Sequence, residues 1–460
     1  MSAREWAGLR IARFPATPHE KREIMRRLIN TFMSGWAAFV IAASITGTAL
    51  AEDAETVIRN LGGAPFAGPV VDPSSGVIYV VYGGLIYRLS PPIAGQSKWA
   101  YKLIYNNPGT TTSPINVATN FVYASNGVVY AEGYNDSENS GEGVYGIFSL
   151  TPPASGTGEW TPTVLHAFSS ATDGSAPVGP LTMDTSGALY GTANQGGAGT
   201  GCGAGNGGCG TVFKLTPPAA QGQAWSFFVL YTFAGGVGGQ KPQDGVILDK
   251  DGNLYGSAPF AYPSGKSLIF KLTPPTGAGE WTKSILYRFY PTSGCYSSGP
   301  LAIDANGALY GAFSPLATST SSCTDLTETE YAFQLAPSQS DPNVWVRTYM
   351  HWFTTSDVAG GYYLRGPLTV DAGGNVYGAT LRGGTADTGT VFALRPRAKV
   401  AGKWNYQTLF DFATTTGHYN VNTTGAAPDG GLVFDTAGNL YGATISGGSG
   451  GRGVLFSLTR

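Results

Sequence analysis

The stretch GPLTMDTSGALYG, Gly179 to Gly191, occurs in this chain in several versions. GVILDKDGNLYG (Gly245 to Gly256), GPLAIDANGALYG (Gly299 to Gly311), GPLTVDAGGNVYG (Gly366 to Gly378) and GGLVFDTAGNLYG (Gly430 to Gly442) repeat its order of residues. After the first comes a glycine-rich loop, then GTVFKLTPP (Gly210 to Pro218), then WSFFVLYTF (Trp225 to Phe233). The later copies continue with LIFKLTPP and WTKSILYRF, with YAFQLAPS and VWVRTYMHWF, and with GTVFALRPR and WNYQTLFDF. Similarity at a regular spacing marks one supersecondary unit used many times.

Each unit reads as four strands: a short apolar strand ending in Asp, the LYG strand, the VFKL strand and the Trp-led strand. The D-x-x-G between the first two has a local cause, because Asp bonds the backbone two residues on and Gly accepts a positive φ. Asp184, Asp249, Asp304, Asp371 and Asp435 are therefore expected to form turns. Looser copies surround Tyr79 and Tyr130, giving seven units near 68–105, 114–168, 179–233, 244–289, 299–353, 366–412 and 430–460. The last lacks its Trp-type strand, and ETVIRNL (Glu55 to Leu61) supplies one from the other end of the chain. This predicts an all-β, seven-bladed β-propeller of four-stranded blades in one domain, 52–460, its last blade closed by an N-terminal strand.

Composition agrees: 67 Gly and 29 Pro with only 12% charged residues suit short strands joined by turns. Residues 1–51 differ, with Arg26 and Arg27, an apolar run from Trp36 and then Ala49-Leu50-Ala51, which reads as a secretory signal peptide with Met25 as a possible initiator. After its removal, 20 basic residues stand against 26 acidic ones, a net charge of −6. Such a chain is a poor nucleic-acid binder, and no membrane association is expected after cleavage. Its location is expected to be extracellular or periplasmic, its state monomeric. All four cysteines lie in the exported part.

The combination D-x-x-G-x-L-Y-G, a glycine-rich loop, G-T-V-F-K-L-T-P and W-x4-L-Y-x-F resembles the bacterial GloVer tandem repeat of choice-of-anchor proteins, over about Glu55 to Arg460. The resemblance implies an exported, propeller-like surface protein and no established catalytic activity. Blades one and two match loosely; Ala124 replaces the turn aspartate of the second.

Several stretches mimic known chemistry. Gly203, Gly205 and Gly208 spell G-x-G-x-x-G, but a strand pattern follows where a phosphate site needs the start of a helix. Asp249, Asp251 and Asn253 resemble the start of a calcium loop without its distal Glu, so no metal and no cofactor is expected. His166 and His351 fill the strand position of Tyr231 and Tyr287, and no His cluster has zinc spacing. The tryptophans Trp99, Trp160, Trp225, Trp281, Trp345 and Trp404 recur at strand starts, which favours packing between blades over sugar stacking. Trp352 falls outside that register. Loop positions pair Cys202 with Cys209, and Cys295 with Cys323.

Binding residues are expected on the face carrying the second-to-third-strand loops and the blade-to-blade connections, where length and composition vary. That face offers Tyr134, Asp136, Glu138, Asp325, Glu328, Arg382, Asp387, His418 and Tyr419. No catalytic residue can be assigned. The sequence therefore points to a non-catalytic secreted binding or scaffold module for a glycan, peptide or envelope component. The alternatives are a polysaccharide lyase or hydrolase with its site at the channel mouth, and a structural matrix protein.

Overall fold

The computed structural model describes residues 54–459 except for 66–67, 83, 94, 107–114, 136–143, 157, 170–171, 200, 203–206, 221, 259–266, 290–299, 314–329, 355–360, 365, 399, 401 and 418–419. These residues form seven antiparallel sheets, the blades of a propeller. In the fourth blade the strands run in chain order from the axis outward: Val246–Leu248, Leu254–Ala258, Leu268–Thr273 and Thr282–Arg288. Blades three and six differ slightly. Their innermost strand is broken in two around Gly179-Pro180 and Gly366-Pro367, since proline cannot donate to the ladder.

Ala54–Asn60 pairs antiparallel with the final strand, Val454–Thr459, so the seventh blade is completed from the N-terminal end. The seven buried apolar clusters match this closure, because each is shared by two neighbouring blades. The cluster between the last and first blades contains Leu455 and Tyr441 beside Val71, Ile78 and Val80. At the axis the same blades meet backbone to backbone: a Cβ on Gly68 would lie 2.0 Å from the Gly430 carbonyl oxygen.

The repeat motif explains how blades pack. In all seven blades the register between third and fourth strands slips at one corresponding place. The extra residue is the Leu of L-Y-x-F or its equivalent: Leu230, Leu286 and Leu409 in three of them. A regular strand would send Leu and the following aromatic to opposite faces; with the bulge both pack into the same inter-blade cluster. The glycine of LYG has an equally direct cause. A Cβ on Gly311 would sit 2.6 Å from the tip of the buried Phe333 ring.

Two outcomes test this account. Deletion of residues 54–60 should abolish cooperative thermal unfolding followed by circular dichroism, because it bares the edge of the third strand of the last blade. Gly311→Ala should cost about 1–3 kcal/mol in chemical denaturation through overpacking. Gly307→Ala, in a turn at φ +82° with open space around it, should cost less, through backbone strain alone.

Candidate functional site

The aspartates of D-x-x-G are turn-formers in fine detail. Oδ1 of Asp249 accepts the backbone N–H groups of Asp251 and Asn253 at 2.9 Å. Its Oδ2 accepts the Asn253 amide at 2.7 Å and the Tyr255 hydroxyl at 2.9 Å. Both oxygens are thus occupied without a calcium ion, and Asp251 pairs with Lys250 at 2.8 Å. The tyrosine bond recurs at Asp184, Asp304, Asp371 and Asp435, always to the residue six positions on. Burial alone would raise these carboxyls, but the bonds outweigh it and lower the pKa of Asp184, Asp249, Asp371 and Asp435.

The recurrent tryptophans pack as inter-blade residues. Each of Trp99, Trp160, Trp225, Trp345 and Trp404 has its ring against the LYG-type tyrosine of the preceding blade, at centroid distances from 5.4 to 6.3 Å. His166 and His351 sit opposite Ile147 and Ala332 on fourth strands, as Tyr231 and Tyr287 do opposite Val212 and Ile269. His166 also donates its Nε2–H to the Asp173 carboxylate at 3.0 Å and stacks on Phe227.

Of the loop residues expected to bind, Asp136, Glu138, Asp325, Glu328, His418 and Tyr419 lie outside the described residues, as do Cys295 and Cys323. Cys202 and Cys209 are joined by a disulfide. Tyr134 is the penultimate residue of the second strand of blade two, Val129–Asn135, and rests on Tyr145. Arg382 and Asp387 do come together, at 3.6 Å, in one exposed loop. There Asp387 also accepts the Tyr362 hydroxyl and the Gly383 N–H at 2.9 Å, so its carboxylate shapes the loop.

Two concave regions stand out. The larger, about 640 Å³, is a groove between blades four and five on the face of the D-x-x-G turns, opposite the face the sequence favours. Trp345 and Tyr255 contribute aromatic surface to it, with Leu286 and Ile303 beside them and Lys271, Ser284, Asn306 and Asn343 as polar groups. The Lys271 ammonium lies 5.7 Å from the centre of the Tyr255 ring and forms no ion pair among the described residues. Lys271 and Trp345 were visible as repeat positions, but only the fold places them in one groove.

The second cavity, about 370 Å³, lies at the axis, because its wall takes Pro180, Asp244, Pro300 and Pro367 from four successive blades. Asn194 and Gln243 complete its polar lining, on the face of the blade-to-blade connections. Asp244 keeps some accessible surface, yet the protein packed around its carboxyl desolvates it and raises its pKa to about 6, opposed in part by a bond from the Ser257 hydroxyl. Glu132, buried on the second strand of blade two, is pushed well above the ordinary carboxylate range by burial, and its Oε1 has no hydrogen-bond partner.

A closed ring of tandem repeats, with an inter-blade groove on one face and a polar axial cavity toward the other, defines a repeat propeller. The chain belongs to the Gloeobacter/Verrucomicrobia repeat family, whose model matches residues 74–324. No curated protein matches it. Among solved structures it is similar to the calcium structure of a Trichoderma reesei carbohydrate-active enzyme of family AA12, at 12% identity, covering 89% of this chain and 96% of that one, TM-score 0.41. It is also similar to the PQQ domain of pyranose dehydrogenase from Coprinopsis cinerea, at 13% identity, 89% and 97% coverage and TM-score 0.39. A hypothetical selenium-binding protein from Sulfolobus tokodaii follows at 12% identity, 73% and 76% coverage and TM-score 0.45. Likenesses this distant carry nothing about what the present chain binds.

The raised Asp244 pKa has a defined pH consequence. In the folded chain the carboxyl keeps its proton between the ordinary Asp value, near 3.8, and about 6, while the unfolded chain loses it. Its contribution to stability is complete below pH 4 and is lost as pH rises through 6. Asp244→Asn should therefore flatten the fall in unfolding free energy between pH 4 and 7, leaving the variant about 1–3 kcal/mol more stable than the parent at pH 7. Parallel urea titrations across that range check it, with Glu132 present in both proteins.

Proposed function

We propose that the protein is an exported, non-catalytic binding module whose ligand is a glycan, held in the groove between blades four and five. The observation that carries this reading is the juxtaposition of Trp345 and Tyr255 with Lys271, Ser284, Asn306 and Asn343 around about 640 Å³. A pyranose ring has an apolar face for the indole and hydroxyls for the ammonium and amide groups. A volume of that order holds a small oligosaccharide. The turn carboxylates of Asp249 and Asp304 are spent on their own hairpins, and Lys250 is paired with Asp251. The groups left to a ligand are hydrogen-bond donors and aromatic surface rather than a pair of acids in position for proton transfer.

The signal-like 1–51 segment and the Cys202–Cys209 disulfide support export. In addition, no helix among the described residues is long and apolar enough to cross a membrane.

A glycan array read with the purified protein, followed by calorimetry on the best oligosaccharide, tests the reading. Lys271→Ala and Asn343→Ala should each weaken binding about 10-fold or more, on the scale of one lost charge-assisted or neutral hydrogen bond. Their thermal unfolding should be unchanged. Chromatography of the same oligosaccharide after prolonged incubation should show no cleavage; products that accumulate would favour the lyase or hydrolase alternative.

A further inference from the structure

The axial cavity is chemically unlike the groove. Its wall carries one ionisable group, Asp244, and no cationic side chain. The influences on that carboxyl are burial and the Ser257 hydroxyl, with no neighbouring positive charge among them. One orphaned oxygen acceptor belongs to the same wall. Asn194, which lines this cavity and the adjoining one of about 290 Å³, has a buried Oδ1 with no hydrogen-bond partner. Gln243 belongs to both walls.

Sequence differences among the blades make this arrangement local. Where other blades have Gly-Pro at the axis, as at Gly179-Pro180 or Gly366-Pro367, blade four has Asp244-Gly245. In blade three Thr192, the counterpart of Ser257, donates its hydroxyl to the Val178 carbonyl. In blade four Ser257 donates to the Asp244 carboxylate instead.

A desolvated carboxylate whose cavity wall carries no cationic side chain, sharing that wall with an amide whose oxygen has no donor, suits a bound cation. We propose that the axial cavity is a binding site for a hard divalent cation of calcium size, with Asp244 as its charged ligand and Asn194 as a neutral oxygen ligand. Calcium accepts six to eight oxygens in flexible geometry, including amide carbonyls, whereas magnesium demands a tighter octahedron and gives up water reluctantly. One carboxylate is a low charge count, which places the dissociation constant at about 0.1–1 mM, the range of extracellular calcium modules. Lys241, on the wall of the adjoining cavity, is the cation nearest in sequence and is not among the residues lining the axial one. No cluster of three or more His, Cys, Asp or Glu occurs among the described residues, so the site depends on its amide oxygen.

The test is thermal unfolding of the chelator-treated full-length protein at pH 7.5 with calcium, magnesium or sodium chloride at matched ionic strength, with calorimetric titration of calcium alone. Calcium should raise the Tm saturably with a midpoint of about 0.1–1 mM, and magnesium and sodium should not. Asp244→Asn, which keeps an acceptor for Ser257, should abolish the shift while remaining folded, and Asn194→Ala should weaken calcium at least several-fold. The proposal fails if calcium gives neither heat nor shift up to 10-fold above that range. It also fails if Asp244→Asn responds like the parent, or if magnesium or sodium reproduces the shift. Glycan binding in the groove uses none of these residues, so either idea can fail without the other.

Discussion

A tyrosine hydroxyl bonded to an aspartate six residues earlier is the contact on which the ring rests. The phenol end closes the hairpin, as Tyr310 does on Asp304 at 2.9 Å, while the ring packs against the tryptophan of the next blade, here Trp404. One side chain therefore fixes both the turn within a blade and the angle between blades. Desolvation, helped by the aspartate, raises the pKa of Tyr190, Tyr255 and Tyr310, and pushes that of Tyr441 up to about 12, so the hydroxyl remains a donor at any physiological pH. A single bond of this kind contributes about 1 kcal/mol. Repetition in five successive blades multiplies it, and each of these blades is tied through it to the next.

The carboxyl groups fall into two populations with opposite pH behaviour. The turn aspartates gain bonds in the folded state, and their contribution is present above the ordinary Asp value and lost on acidification. Asp244 and Glu132 are protonation-favouring, and theirs is present in acid and lost as pH rises. The first group is dispersed over four hairpins on one face. Asp244 is the one ionisable residue on the wall of the axial cavity, so its cost is a local one that a bound partner could offset without altering the ring.

Most of the scaffold was legible because every blade had to solve one packing problem with the same residues. The D-x-x-G turns, the inter-blade role of the tryptophans and the closing strand all follow from comparing units. Finer devices were present in the spacing but not obvious from it. Asp184 and Tyr190 keep the same separation as Asp435 and Tyr441, which is the signature of the hydroxyl bond. The adjacency of Leu230 and Tyr231 marks the bulge. The groove and the axial cavity were not legible, for a physical reason. Trp345 and Lys271 come from different blades, and Asn194 meets Asp244 only once the ring has formed. Apolar periodicity reports how a strand packs, not which strands meet.

In a repeat protein the positions that every unit shares are committed to holding the units together, which leaves binding to the positions where units disagree. The third-strand position of Lys271 illustrates this: it holds Gln334 in blade five, bonded at 2.9 Å to the Tyr310 hydroxyl, and Ala393 in blade six. All three tolerate the same backbone, so the side chain there is under no structural demand to be a cation. Asp244 is the sharper case. Blades three, five and six place Gly-Pro at the axis and blade seven Gly-Gly, where an uncharged backbone packs without cost, and a desolvated carboxyl at that point works against folding at neutral pH. A residue that the scaffold neither repeats nor needs, and that burdens it, points to something the scaffold alone does not contain.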